Sequence, residues 1–356
     1  MLSLKVVFST ASLLIFTIFI KPKNAFVLSS HLNLREVGRT SGTTDLFERK
    51  ENGNGNIRYE KYEHDGWNLG IQYKLRGKTS EENRILNVFR SAEAKKSCDY
   101  PLLLIHPVGI GLSSWFWNPF MNEWNDSDIF CPDLIGCGNV GDEWKPDERG
   151  LFFPLDWVRQ LETLLSDERF LNGRPCVVIT QGGLAPVGVM LASRNPDLVK
   201  YLVLCSPPTW REMTTAIDPY ELKRNYDFLT SKLGSYAFRL LESRKAIQFF
   251  SDLFLFKEKA DEKWLERATS ECNSKVRPAI AVFNSGLLNH RSFQEELVEL
   301  TQPTLMLTGD TDSRAKGRTF YSNEIKFLSD KVISGRNVLP WESLSATIDE
   351  VKAFIA

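Results

Sequence analysis

The stretch that decides the fold of this 356-residue chain is VITQGGLAP at residues 178–186. An apolar run at residues 176–180 precedes two glycines, and an apolar segment with helical periodicity follows at residues 184–194. Consecutive glycines favour a sharp turn, because a residue without Cβ adopts positive φ at little steric cost. The stretch therefore predicts a buried strand, a tight turn and a helix.

The same alternation of short apolar strands and helices extends on both sides of this stretch. Strands are predicted at residues 67–75, 101–106, 128–134, 202–205, 304–307 and 331–333, and helices at residues 114–124, 155–170 and 343–354. Such alternation is typical of a mostly parallel sheet that is covered by helices on both faces. The alternation stops at about residues 212–292, which are helical and aromatic-rich, and we interpret this segment as a lid inserted into the fold.

Composition and charge exclude several classes of protein. A formal net charge of −1 argues against an electrostatic nucleic-acid binder, which needs a basic face. The six cysteines lack C-x-x-C spacing and the four histidines lack an H-E-x-x-H pattern. We therefore expect no metal site and no cofactor, and we expect buried free cysteines rather than a disulfide framework.

The first 25 residues have the layout of a secretory signal peptide. A lysine precedes an almost unbroken apolar run at residues 6–20, and Lys21-Pro22-Lys23 ends that run. The run is shorter than the roughly 20 residues that span a membrane, so we expect no stable membrane span in the mature form. Residues 26–60 are predicted to be a transit-like segment, low in acidic residues at 27–44, followed by a linker rich in Gly and Asn.

The junction at Ala25-Phe26 resembles the bipartite plastid-targeting presequence of algae with complex plastids. The resemblance implies cleavage before the phenylalanine and delivery to the plastid. The scattered cysteines favour this reducing compartment over an oxidising exterior. The alternative is secretion, or retention in the lumen of the endoplasmic reticulum.

Four further motifs resemble those of the α/β-hydrolase superfamily over about residues 65–356. In chain order they are HPVG at 106–109, DLIGCG at 133–138, TGDTD at 308–312 and SGRNVLPWE at 334–342. In that family they correspond to the oxyanion loop, a turn after the fourth strand, the turn with the triad acid, and the loop with the triad histidine. The resemblance implies an α/β-hydrolase fold of the AB hydrolase-1 type. Its mostly parallel, eight-stranded sheet would be flanked by helices, and residues 61–356 would form one domain with a lid at about 212–292.

The family's nucleophilic serine lies in G-x-S-x-G, on a strained turn between a strand and a helix. The alignment that best fits the following helix places Gly182 at the serine, with Thr180 and Leu184 in place of the flanking glycines. A shift of one residue places Gln181 there and recovers Gly183 as the second glycine. Neither alignment supplies a serine, cysteine or aspartate at the position of the nucleophile.

The general base of the family is missing as well. No histidine follows His290, and the resemblance places Asn337 at the position of the triad histidine. An amide cannot take a proton from a hydroxyl group near neutral pH. Asp312 remains as the triad acid, and His106 is a candidate for a displaced base. With Gly182 and Asn337 as degenerate triad positions, we expect no efficient ester hydrolysis by the usual route.

The residues around the predicted turn and the oxyanion loop are expected to border a pocket; they are His106, Pro107, Val108, Gly109, Gln181 and Gly183. Aromatic side chains of the lid, together with Trp115, Phe116 and Trp117, are candidates to line an apolar cavity. We therefore expect a hydrophobic small molecule of lipid, pigment or isoprenoid type as the partner.

Three longer phrases resemble a subgroup of cyanobacterial and plastid α/β-hydrolase-like proteins with a degenerate triad; they lie at residues 106–113, 181–187 and 335–342. The first functional hypothesis is a plastid protein that binds a hydrophobic molecule and either catalyses a non-hydrolytic step or acts as a pseudoenzyme. The alternatives are a ligand-binding or scaffold protein and an esterase with a rebuilt site.

Overall fold

A computed structural model gives the structure of residues 57–76, 100–144, 155–286 and 289–356, which are the described residues. The predicted signal peptide, and the transit-like segment and linker up to residue 56, lie outside them. One difference from the predicted boundary is visible, because the linker was expected to reach residue 60 and the first strand already begins at Arg58. The strand starts earlier because Arg58–His64 pairs antiparallel with residues of the next strand, from Arg58 opposite Tyr73 to His64 opposite Trp67.

A single sheet contains the strands of the described chain. They are β1 (Arg58–His64), β2 (Trp67–Lys74), β3 (Leu102–Ile105), β4 (Ile129–Pro132), β5 (Cys176–Gln181), β6 (Val199–Cys205), β7 (Thr304–Gly309) and β8 (Leu328–Ile333). The strand order is β1-β2-β4-β3-β5-β6-β7-β8. Pairing is antiparallel from β1 to β2 and from β2 to β4, and parallel across the rest of the sheet. The predicted mostly parallel, eight-stranded sheet flanked by helices is confirmed.

In chain order the helices are α1 (Asn118–Glu123), α2 (Leu155–Ser166), α3 (Ala185–Arg194), α4 (Trp210–Thr214), α5 (Pro219–Thr230), α6 (Lys232–Leu241), α7 (Arg244–Phe254), α8 (Glu262–Ser270), α9 (Arg277–Ser285), α10 (Gln294–Val298), α11 (Ala315–Arg318), α12 (Tyr321–Glu324), α13 (Leu339–Glu342) and α14 (Leu344–Ile355). The helix predicted at residues 114–124 is divided into a 3-10 turn, Ser114–Trp117, and α1. None of the described helices has the length and apolar character that a membrane crossing requires.

The hydrophobic core lies on both faces of the sheet. Along β3, Leu103 and Ile105 belong to one buried cluster, whereas Leu102 and Leu104 belong to the other. Successive side chains of a strand point to opposite faces, so an all-apolar strand is buried only where helices cover both. Side chains of α2 and α3 pack in the first cluster, and those of α1 and α14 pack in the second.

Helices α4 to α10 form an insertion between β6 and β7. Several of them begin at a residue whose side chain accepts a backbone N–H of the first turn, namely Asp218, Ser231, Ser243 and Asp261. Each such cap satisfies a helix-end donor that would otherwise lack an intrahelical partner. The insertion thus consists of separate short helices, whose boundaries are encoded locally by the caps.

Candidate functional site

The turn after β5 brings two glycines to the carboxyl end of the sheet. Gln181 is still extended, with φ of −111°, whereas Gly182 has φ of 62° and begins a 3-10 turn that leads into α3. Gly182, and not Gln181, therefore occupies the left-handed position of the sharp turn. A Cβ added at Gly182 would meet no atom within 4 Å, whereas one at Gly183 would lie 2.5 Å from the Phe283 ring. The position of the turn residue thus opens onto empty space.

That empty space is a cavity of about 250 Å³ between the carboxyl ends of the strands and the insertion. In parallel sheets this edge is the usual place for a ligand. Its apolar wall comes mainly from the insertion, with Ile217, Phe238, Leu241, Phe250, Phe254 and Phe283. Its other side includes five of the predicted pocket residues, together with the positions predicted for the triad serine and histidine; they are Pro107, Val108, Gly109, Gln181 and Gly183, and Gly182 and Asn337.

Asn337, the residue after Arg336 in the loop that follows β8, is held mainly by its backbone. Its N–H donates to the Leu255 carbonyl at 3.0 Å, and its own carbonyl accepts from Gln181 Nε2 at 2.8 Å. No hydrogen bond joins Asn337 to Asp312 within the described chain. Backbone groups of Asn337 in this loop therefore contact the end of β5 and the residue after α7, so hydrogen bonds connect the turn after β5, the loop and the insertion.

Two polar atoms at this junction have no hydrogen-bond partner among the described residues. They are Gln181 Oε1, an acceptor, and Asn337 Nδ2, a donor. The two side chains are only 1% and 7% exposed, respectively. A buried polar group without a partner costs about 1–3 kcal/mol, and such groups are typical of sites completed by water or a ligand. Both residues border the cavity.

His106 does not line the cavity, although it was a candidate base and pocket residue. Its Nδ1 lies 2.8 Å from the Pro107 carbonyl, and its Nε2 accepts the Leu134 N–H at 3.0 Å. The side chain is fully buried, and burial lowers the pKa of the imidazole. Both ring nitrogens are therefore engaged with backbone groups, and this geometry gives His106 a structural role in place of the catalytic one.

Asp312 also lies outside the lining of the cavity. Its Oδ1 accepts the Arg314 N–H at 2.9 Å, and its Oδ2 lies 2.8 Å from Arg318 Nη2 at an angle outside hydrogen-bond geometry. Arg318 is 1% exposed, its Nε donates to the Pro207 carbonyl, and burial lowers its pKa. The carboxylate is thus the counter-ion of a buried guanidinium and is not directed at the cavity.

Five polar residues of the lining were missed by the sequence interpretation; they are Glu212, Ser251, Asn284, Asn289 and Arg314. Glu212 Oε2 accepts from the N–H and the hydroxyl of Thr209, so this carboxylate is part of a helix cap. Arg314 Nε lies 4.0 Å from Asp312 Oδ1, and the other oxygen of this carboxylate, Oδ2, is paired with Arg318. The T-x-x-E capping box was readable from sequence, but which insertion residues face the cavity depends on how the helices pack.

The aromatic prediction is correct only in part. Trp115, Phe116 and Trp117 do not line the cavity, because all three are at most 1% exposed in the core on one face of the sheet. Trp264 of α8 lines the cavity, and its ring packs on Trp115 with a centroid distance of 5.4 Å. These three side chains pack in the core beside Trp264, whereas aromatic side chains of the insertion form the apolar wall of the cavity.

Metal-ligating side chains do not cluster in the described part of the chain, where no group of three or more His, Cys, Asp or Glu is close enough to hold an ion. The described cysteines are free; Cys131, Cys137, Cys176 and Cys205 are buried and Cys272 is partly buried. Apart from its apolar walls, the cavity is lined by four side-chain amides and by three further polar side chains; they are Gln181, Asn284, Asn289 and Asn337, and Glu212, Ser251 and Arg314.

Solved structures similar to this chain in fold include a haloalkane dehalogenase and an esterase. Cfl2 from Burkholderia cenocepacia has a TM-score of 0.62 and 17% identity, over 85% of this chain and 96% of its own. The haloalkane dehalogenase DatA from Agrobacterium tumefaciens has a TM-score of 0.58 and 16% identity, over 85% and 97%. An esterase from Thermogutta terrifontis has a TM-score of 0.58 and 16% identity, over 84% and 98%.

Neither the protein-family models nor the curated proteins include a match to this sequence. At 16–17% identity the structural likeness is a likeness of fold. Function must therefore be argued from the chemistry of the cavity.

Proposed function

From the α/β-hydrolase fold of this chain, we propose that the protein binds a hydrophobic small molecule with a hydroxyl-like polar end and does not hydrolyse esters by serine–histidine chemistry. The observation that carries the proposal is the cavity itself. Most of its wall is apolar, and the bordering residues Gln181 and Asn337 each have a buried amide atom, Oε1 and Nδ2, that has no partner among the described residues. The cavity and both amides are present, whereas the expected triad positions offer neither a nucleophile nor a base.

Hydrolysis by the usual route lacks each of its reacting groups. Gly182 has no side chain to attack a carbonyl, and Asn337 has no basic nitrogen. His106 has both ring nitrogens engaged by backbone groups, and the Asp312 carboxylate is paired with Arg318. We infer that Gly182 and Asn337 are degenerate triad positions and that the protein acts by binding, or by a step that needs only positioning.

The two unpartnered amide atoms define the polar end of the ligand. A hydroxyl group donates one hydrogen bond and accepts others, so one oxygen can donate to Gln181 Oε1 and accept from Asn337 Nδ2. An ether or a hydrocarbon satisfies at most one of these atoms. The apolar remainder of the ligand would contact the side chains of the insertion, where burial of each CH₂ contributes about 0.8 kcal/mol.

The test compares octan-1-ol with 1-methoxyoctane, which has a similar chain but no hydroxyl donor. Calorimetric titration should give tighter binding of octan-1-ol by about tenfold, since one hydrogen bond in a desolvated site contributes about 1–1.5 kcal/mol. Gln181→Met should abolish this preference, because only the alcohol can donate to Gln181 Oε1. Asn337→Leu should weaken both ligands and leave the preference, because both oxygens can accept from Asn337 Nδ2. Failure of octan-1-ol to bind at all would contradict the proposed ligand class.

Gln302 supplies the matched control. It is also buried, its Nε2 donates to a backbone carbonyl (Ala192, 2.9 Å), and its Oε1 has no partner among the described residues. Unlike Gln181, it does not line the cavity. Gln302→Met should therefore leave the octan-1-ol affinity unchanged, and an equal loss in Gln181→Met and Gln302→Met would assign the effect to general destabilisation.

We also propose that the protein works in the plastid. The presequence-like residues 1–44 support this location, and so do the free cysteines of the described chain, which suit a reducing compartment. A C-terminal fluorescent fusion expressed in an alga with complex plastids should localise to the plastid. Phe26→Ala should divert it, and secretion of the unaltered fusion would contradict the proposal.

A further inference from the structure

Helices α6 and α7 present apolar side chains on two faces. Their inner faces line the cavity through Phe238, Leu241, Ile247, Phe250 and Phe254. Their outer faces leave five more large apolar side chains between 44% and 58% exposed, namely Leu233, Tyr236, Leu240, Phe249 and Leu253. Within each helix these exposed residues recur at spacings of three or four, which places them on one side. Two short helices thus carry an apolar stripe that faces solvent.

The charged side chains beside this stripe are basic. Lys232, Arg239 and Lys245 are exposed, and they form no ion pair within the described parts of the chain. The acidic residues of the same segment are engaged, because Glu242 binds Arg277 with both oxygens and Asp252 accepts the Ala260 N–H at 2.8 Å. The helices α6 and α7 therefore combine exposed apolar side chains with a net positive charge.

We propose that the outer face of α6 and α7 docks on an anionic lipid surface. An amphipathic helix with aromatic and aliphatic residues on one side and Lys or Arg beside them is the type of element that lies in a membrane interface. Anionic head groups attract the basic residues, while the apolar stripe enters the boundary of the acyl chains. A cluster of exposed apolar residues of this size also marks an interaction surface rather than ordinary solvent-facing helix.

The position of the stripe joins this surface to the cavity. Phe249, on the outer face of α7, is adjacent in sequence to Phe250, which lines the cavity, and their ring centroids are 5.3 Å apart. A hydrophobic molecule that leaves the bilayer beneath α7 would therefore move from one apolar surface to another with little exposure to water. Lipid docking itself does not depend on the proposed cavity ligand, so the two proposals can fail separately.

The experiment is flotation with vesicles of phosphatidylcholine alone or of phosphatidylcholine and phosphatidylglycerol in equal amounts. The chain without residues 1–25 removes the apolar N-terminal run as a second anchor and retains every described residue, since these begin at residue 57. The protein should float with the anionic vesicles at least tenfold more than with the neutral ones. This binding should fall as salt is raised, because salt screens the basic residues.

Two sets of substitutions separate the contributions. The double variant Leu240→Glu, Phe249→Glu should lower binding to anionic vesicles at least tenfold. A triple variant that replaces Lys232, Arg239 and Lys245 by Gln should abolish the preference for anionic lipid. The matched control is Val332→Glu, because Val332 is 65% exposed on β8 and lies outside the stripe; it should bind as the unaltered protein does. All variants should keep the unaltered melting temperature, since the replaced side chains are exposed.

Three outcomes would overturn the proposal. The first is absence of flotation with either vesicle, and the second is undiminished flotation of the Leu240→Glu, Phe249→Glu variant. The third is a dimer in light scattering that these two substitutions dissociate, which would assign the stripe to a second copy of the chain. Octan-1-ol binding in the same variants reports on the cavity independently of these outcomes.

Discussion

Gln181 Nε2 donates a hydrogen bond of 2.8 Å to the backbone carbonyl of Asn337, joining the end of β5 to the loop after β8. In hydrolases of this fold, the nucleophile follows the strand that corresponds to β5, and the histidine base lies in the loop that corresponds to the one after β8. Here the side-chain amide of Gln181 fixes the loop through a backbone atom, and Asn337 Nδ2 has no partner in the part of the chain that the structure describes. The contact stabilises the border of the cavity without forming a proton-transfer pair.

Restoring both missing groups should create reactivity toward a fluorophosphonate probe. A serine at position 182 enters open space, at a cost of about 1–3 kcal/mol for its positive φ. Alone it should label no faster than the unaltered protein, because no base is present. Gly182→Ser with Asn337→His should label at least tenfold faster than Gly182→Ser, and slowly in absolute terms because Arg318 holds the Asp312 carboxylate.

Gly173→Ser provides the matched control for this pair. Gly173 has φ of 69°, and a Cβ there also meets no atom within 4 Å, but it lies in the turn before β5 and not at the cavity. It should cause the same loss of stability and no labelling when combined with Asn337→His. Labelling of the unaltered protein would show that an activated serine exists elsewhere, against the proposed function.

Removing the Asp312 carboxylate should destabilise the fold. Asp312→Ala leaves the Arg318 guanidinium buried without its counter-ion, which costs about 3–5 kcal/mol. Replacing both residues, with Asp312→Ala and Arg318→Met, should recover most of that free energy of unfolding in urea titrations. A stable Asp312→Ala protein would contradict the structural role assigned to this carboxylate.

The control is the ion pair of Asp126 with Lys352. Its distance of 2.9 Å is nearly the same, but the side chains are 36% and 39% exposed. Exposed pairs contribute about 0–1 kcal/mol, so Asp126→Ala should change the free energy of unfolding by no more than that. A larger loss of stability in Asp312→Ala than in Asp126→Ala would show that burial makes the Asp312 ion pair more important for stability.

Stability should fall as the pH falls below about 6.5, partly because of His106. Burial holds the pKa of its imidazole below the unfolded value of about 6.5, so the unfolded chain binds the proton first. Such a group lowers the free energy of unfolding by up to about 1.4 kcal/mol per pH unit until the pH reaches its folded pKa. Urea titrations at pH 7.5, 6.5 and 5.5 measure this slope.

His106→Gln should reduce the dependence of the free energy of unfolding on pH by about the contribution of one titrating group. His64→Gln is the comparison, because burial lowers the pKa of His64 as well, but that side chain is only about half buried and bonds to Thr163. It should remove a smaller part of the slope. An unchanged slope in His106→Gln would mean that the imidazole is accessible to protons in the folded protein.

Cys272 should alkylate slowly despite its partial exposure. Burial, followed by the charge of Glu242, raises the pKa of its thiol to about 12. At pH 8 its thiolate fraction is then roughly a thousandfold below that of an ordinary thiol. Iodoacetamide labelling in a Cys98→Ser variant, followed by mass spectrometry, should show a rate that rises about tenfold per unit from pH 8 to 10. A plateau near pH 9 would indicate an unperturbed thiol.

The sheet was predictable because its strands are short, apolar and regularly spaced. The turn at residues 178–186 was also predictable, since two adjacent glycines favour positive φ, but its exact register was not. Gln181 and Gly182 are both compatible with the sequence. The structure separates them because β5 continues its pairing through Gln181 opposite Cys205, which leaves Gly182 as the first residue free to turn.

Contacts between residues distant in sequence were beyond prediction. His106 resembles a catalytic residue in its motif, yet Leu134 and Pro107 engage its nitrogens. Trp115 belongs to an aromatic run that suggested a cavity wall, yet it lies in the core. Whether a side chain faces a cavity or a core depends on the packing of all neighbouring elements, which local pattern does not encode.

The sequence by itself determined that no serine, cysteine or histidine occupies the expected triad positions, because the absence of a functional group needs no coordinates. Tertiary structure alone decided what the remaining groups do. It pairs Asp312 with Arg318, and among the described residues it gives Gln181 Oε1 and Asn337 Nδ2, in two residues that border the cavity, no partner. The reason is physical, because a hydrogen bond or an ion pair forms only when two groups lie within a few ångströms of each other. Folding brings such groups together from distant parts of the sequence, and Gln181 and Asn337 are more than 150 residues apart.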